Sequence, residues 1–191
     1  GVSEDLGSVI DHALTHDYEQ LALIGFSLGG NIVLKYLGEQ GSKTHPKIKA
    51  AVAFSVPCDL TSSSLQLGEW QNSIYMSRFM DGLKEKIRHK DGAFPDTLDL
   101  SGIRKIKTFA EFDDLFTAPL NGFSDARDYW TRASSKPHLP SITTPTLMVQ
   151  ALNDPFLPDQ CFPRKIADQS PYLYLETPPH GGHVGFVSRG P

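Results

Sequence analysis

The chain has 191 residues, with 18 Lys and Arg against 22 Asp and Glu, a net charge of −4 and 39% hydrophobic residues. These figures fit one globular domain and give no reason to expect nucleic-acid binding. No run approaches the ~18 apolar residues of a membrane helix, and no signal peptide opens the chain, so membrane association is not indicated.

Apolar residues at 6, 9, 10, 13 and 14 recur at helical spacing, which predicts a helix over residues 3–16. A chain that opens inside such a helix is expected to lack an N-terminal portion. Gln20–Phe26 (QLALIGF) is a short apolar run ending at a glycine-flanked serine, the pattern of a buried strand. Asn31–Glu39 reads as a helix, with Gly41 placed to stop it. Ile48–Val56 reads as a second buried strand, ended by Pro57. Helix, strand, helix, strand with short connections predicts an α/β fold, a parallel sheet with helices on both faces.

From Asp59 to about Ser141 that rhythm stops. Ser73–Lys90 predicts an amphipathic helix with Met76, Phe79, Met80, Leu83 and Ile87 on one face. Shorter pieces follow around 100–106 and 125–133. The βα pattern then resumes with a strand at Thr146–Leu152, a helix at Asp159–Asp168 and a strand at Tyr172–Glu176. The chain is read as a single domain, 1–191, with a helical cap inserted at 59–141.

Gly25-Phe26-Ser27-Leu28-Gly29-Gly30 matches G-x-S-x-G between a predicted strand and a predicted helix. A sharp turn there lifts the Ser27 hydroxyl out of the sheet, and Gly25 and Gly29 are expected to lack side chains because other backbone passes close by. The following helix aims its first amide, that of Leu28, at negative charge developing on a bound carbonyl. A serine is a poor nucleophile until a base takes its proton, so a histidine and an orienting acid should follow in the order Ser, acid, His. Asp154 stands directly after the strand at 146–152, and His183 stands in the loop beyond the last strand.

Each has a plainer reading. An Asp before Pro is often a turn former, and a His in a glycine-rich loop is often merely solvated. His180 competes with His183, which is preferred because Gly181 and Gly182 precede it and Val184–Phe186 can seat the loop on apolar surface. Glu111, Asp113 and Asp114 form a carboxylate cluster with no partner at metal-ligand spacing; helix capping or pairing with Arg127 or Arg132 is the expected role. Cys58 and Cys161 have no nearby Cys or His at ligand spacing and read as two ordinary thiols in a reducing, cytoplasmic setting.

Gly25–Gly30 with Asn31, Lys35-Tyr36-Leu37-Gly38, Phe109–Asp114, Thr117–Phe123, Tyr129-Trp130, Ser134-Ser135, Pro145–Leu147, Ala151–Phe156 and Gly181–Phe186 resemble, in order, the YheT-like α/β-hydrolases. The resemblance implies a carboxylic-ester hydrolase for acyl esters, extending to short- or medium-chain lipid esters, and carries the nucleophile, acid and base to Ser27, Asp154 and His183. It implies further strands before residue 3, with a loop there donating the second oxyanion amide. The chemistry requires no metal or organic cofactor, and its partner is a small-molecule acyl ester. Two alternatives stay open: an acyltransferase using the same three residues, and a non-catalytic binding module on the same scaffold.

Overall fold

The computed structural model describes residues 2–93, 100 and 102–187. Two compact units divide the chain: residues 1–63 with 133–191, and residues 64–132. Residues 59–63 and 133–141, expected within the insertion, therefore group with the first unit. No helix among the described residues is long and apolar enough to cross a membrane.

In the first unit, helix α1 (Val2–Leu14) leads to β1 (Leu21–Phe26), α2 (Leu28–Gln40) and β2 (Ile48–Phe54). After the second unit come β3 (Thr146–Val149), α8 (Arg164–Gln169) and β4 (Leu173–Glu176). The four strands are all parallel and lie side by side in chain order. Crossovers between parallel strands are right-handed, so a sheet that grows in one direction places its connecting helices on one side.

That rule places α2 and α8, which connect neighbouring strands, on the core side of the sheet. Ala51, Ala53, Met148 and Leu173 bury one face of the sheet against Ile10 of α1 and Val33, Leu34 and Leu37 of α2, with Ile166 of α8 packed alongside. The row that alternates with them leaves Ile24, Phe26 and Tyr174 exposed. Among the described residues of this unit, helices thus pack on one face of the sheet, where the sequence pattern predicts both. Val9, expected on the buried side of α1, is exposed as well.

Several elements end earlier than the apolar runs. β2 stops at Phe54 because Ser55 turns the chain at φ 51°, and β3 stops at Val149. The helix expected at 159–168 is split into a 3₁₀ turn, Asp159–Cys161, and α8 from Arg164. Pro163 lies between them, and it has no N–H to continue the first turn. Helix α2 ends at Gly41, whose φ of 50° suits a residue without a side chain.

The turn Lys136–Ser141 lies directly on α2. A Cβ on Gly38 would sit 2.3 Å from the carbonyl oxygen of His138 and 2.7 Å from its carbonyl carbon. Backbone on both sides has little room to retreat. Gly38→Ala is therefore expected to lower stability by about 1–3 kcal/mol, read as a lower urea midpoint at unchanged slope.

The second unit contains the C-terminal half of α3 (Leu60–Leu67), α4 (Ser73–Ala93), α5 (Phe109–Phe112), α6 (Ala118–Leu120) and most of α7 (Ala126–Ala133). Met76, Met80 and Ile87 of α4 form its core with Ile103, Ile106, Phe112 and Phe116, as the helical spacing predicts. Phe79 is 40% exposed, off the buried side. The carboxylate cluster is consumed by local structure. Glu111 closes a capping box with Thr108, and the Lys107 and Thr108 amides hold its carboxyl below the usual range. Asp113 accepts from the Trp130 indole at 2.7 Å, and burial pushes its carboxyl up. Asp114 accepts from the Ala126 amide at 2.6 Å. Arg132 pairs with Asp128 rather than with this cluster.

Candidate active site

The strand-to-helix turn is as sharp as the sequence implies. Ser27 has φ 50° and ψ −124°, and α2 starts at the next residue. A non-glycine residue in that region is strained by about 1–3 kcal/mol. Two bonds fix it: the Ser27 amide donates to the Phe54 carbonyl at 2.8 Å, and its carbonyl accepts from the Asn31 amide at 3.1 Å. Glycine is needed at 25, where a Cβ would meet Gly30 Cα at 2.6 Å and Gly29 O at 2.7 Å. It is needed at 30, where a Cβ would meet Val56 Cγ2 at 2.6 Å. At Gly29, expected to be crowded, the described residues leave open space within 4 Å. The close approach is one residue further on, because α2 turns its next residue toward the β2 exit. Leu28 opens the helix, so its N–H has no acceptor within the helix.

Asp154 sits in the turn after β3. Its amide donates to the Ala151 carbonyl at 3.1 Å, and its Oδ1 accepts from the Phe156 amide at 3.0 Å. The side chain is fully buried. Gln150, at the end of β3, braces this region: it accepts from the Val56 amide at 2.6 Å and donates to the Val56 and Cys161 carbonyls at 2.8 and 2.9 Å. Cys58 and Cys161 are free and buried nearby.

His183 approaches from the loop after β4. Its Nδ1 lies 2.9 Å from Asp154 Oδ2 and its Nε2 lies 2.9 Å from Ser27 Oγ. The Phe156 ring packs against the imidazole, with centroids 4.4 Å apart. Loop contacts set this position. A Cβ on Gly181 would strike the Phe186 ring at 2.6 Å, the Gly182 amide donates to Asn153 Oδ1 at 2.9 Å, and the Val184 amide donates to Ser55 Oγ at 3.1 Å. Phe186 in turn lies against Phe54. His180, the competing histidine, is exposed.

The three side chains singled out from the sequence therefore meet in one hydrogen-bonded line, from a buried carboxylate through an imidazole to a hydroxyl. With the Nδ1 proton directed at Asp154, Nε2 is free to accept the proton of Ser27. Asn153, Gln150 and Ser55 were not legible as contributors. Polar residues at strand ends carry no periodic signal, and their partners lie far away in sequence. Among the described residues, no group of His, Cys, Asp and Glu could hold a metal ion.

A family model described as the alpha/beta hydrolase fold matches residues 13–189. The chain is 35% identical over 168 residues to the YheT protein of Escherichia coli (strain K12), covering 87% of this chain and 48% of that protein. It is 33% identical over 190 residues to phospholipase ABHD3 of Homo sapiens, covering 97% of this chain and 45% of that protein. It thus spans about half the length of these curated relatives. The solved acylaminoacyl peptidase of Pyrococcus horikoshii superposes with a TM-score of 0.54 at 15% identity, covering 95% of this chain and 23% of that one, a likeness of fold alone.

Proposed function

The chain belongs to the alpha/beta hydrolase fold family, and from that premise we propose that it is the catalytic part of a serine hydrolase that cleaves carboxylic acyl esters. The observation that carries the reading is the relay Asp154–His183–Ser27, with both contacts at 2.9 Å. The name of one relative, a phospholipase, supports an acyl ester as substrate.

In this reading His183 Nε2 takes the Ser27 proton as Oγ attacks the ester carbonyl, and Asp154 stabilises the imidazolium. The Leu28 amide holds the oxyanion of the tetrahedral intermediate. Collapse expels the alcohol, which receives its proton from His183, and leaves an acyl group on Ser27. Water, deprotonated by the same imidazole, attacks the acyl carbonyl and releases the acid. Short- and medium-chain lipid esters are the proposed substrates.

A fluorophosphonate probe read by intact mass tests this on the full-length protein. One adduct on the wild type and none on Ser27→Ala is the expected result. A folded wild type that takes up no probe would remove the hydrolase reading and leave a scaffold used for binding.

A further inference from the structure

Among the described residues, three that are not glycine have φ in the left-handed region: Ser27, Ser55 and Val184. Ser27 owes this to the turn that presents its hydroxyl. The other two are joined to each other, since the Val184 amide donates to Ser55 Oγ at 3.1 Å. Ser55 is fully buried at the exit of β2, and its amide is tied to the Val149 carbonyl of β3 at 2.9 Å. It lies one residue beyond β2 and is anchored to β3 by that bond. Val184 is 45% exposed and sits in a loop.

A β-branched side chain in the left-handed region is a marked outlier, because both γ carbons crowd the backbone. A half-exposed valine has little packing to hold it there. The bond to Ser55 ties that strained residue to the sheet. Val184 directly follows His183, whose ring must stay within 2.9 Å of Ser27 Oγ and Asp154 Oδ2 together. If residue 184 relaxed to a negative φ, the peptide joining it to His183 would rotate and carry the imidazole away from one partner or both.

We propose that Ser55 is a positioning residue for His183: its hydroxyl holds Val184 in the left-handed conformation and so keeps the imidazole between Ser27 and Asp154. Ser55 reaches no substrate in this role and acts only through the loop. The inference rests on the reading of Ser27, His183 and Asp154 as the catalytic relay.

The test compares wild type, Ser55→Ala, Ser55→Gly, Val184→Gly and the Ser55→Ala/Val184→Gly double variant in the full-length protein, with kcat taken per probe-titrated site. Ser55→Ala is expected to lower kcat and the fluorophosphonate labelling rate by about tenfold, the scale of one hydrogen bond, with KM within about twofold. Ser55→Gly also lacks the hydroxyl but suits the φ at 55, and it shows the same loss. In the Val184→Gly background, Ser55→Ala costs less than about threefold, because glycine adopts the left-handed region unaided. A structural role alone would lower the titrated fraction and leave kcat per site unchanged. Wild-type kcat and labelling rate in both Ser55 variants, on an enzyme whose Ser27 labels, would overturn this inference and leave the relay standing. So would a tenfold loss undiminished in the double variant. A folded wild type that does not label at Ser27 overturns both.

Discussion

Alanine at Ser27 or at His183 is expected to lower kcat for ester hydrolysis by about 10⁶-fold, and the double variant should be no slower than either single one. The two side chains act as a unit. Without Nε2 at 2.9 Å, the Ser27 hydroxyl keeps its proton and attacks poorly; without Oγ, the imidazole has nothing to activate. What remains is the contribution of binding and oxyanion stabilisation, common to all three variants. Neither change should disturb the fold, because Ser27 is held by backbone bonds to Phe54 and Asn31 and His183 comes from a loop. The measurement is kcat on a chromogenic short-chain ester, beside thermal unfolding of each variant. Losses that multiplied in the double variant would mean the two residues work separately.

Asp154→Asn should cost about 10⁴-fold in kcat while leaving the architecture intact. The reason lies in the other carboxylate oxygen. Oδ1 accepts from the Phe156 amide, so an asparagine here must put its oxygen at that position to satisfy the buried N–H. Its NH₂ then faces His183 Nδ1 and donates to it. The imidazole is driven to the tautomer with its proton on Nε2, which cannot take a second one from Ser27. A kcat within about tenfold of wild type would show that the carboxylate does not set the tautomer. Labelling by fluorophosphonate should slow in parallel, since the probe needs the same activated hydroxyl.

The residues that meet at the candidate site were legible because each carries a local signature. Ser27 sits in a glycine-flanked turn between a strand and a helix, while Asp154 and His183 each follow an apolar run in the expected order. The strand and helix cores were legible through periodicity, as at Met76, Met80 and Ile87. What stayed hidden depends on chain segments far apart in sequence. Strand ends were overrun at Ser55 and Gln150 because an apolar run does not mark where φ changes sign or where a buried amide finds partners. Gly29 and Gly30 look alike in sequence, and only the approach of Val56 tells which of them must lack a side chain. That the helices among the described residues pack on one face was equally hidden, because short apolar strands read as buried whichever way the crossovers run.

The conformation of Ser27 also limits how this site can evolve. Among the amino acids, threonine is the nearest chemical relative of serine, with the same hydroxyl and almost the same acidity. At φ 50° its extra methyl would crowd the turn, as β-branched residues do in the left-handed region. Cysteine has a different reacting atom but no branch at Cβ, so the turn admits it. If Ser27 is the nucleophile proposed above, the backbone opposes the conservative exchange and leaves the chemically larger step open.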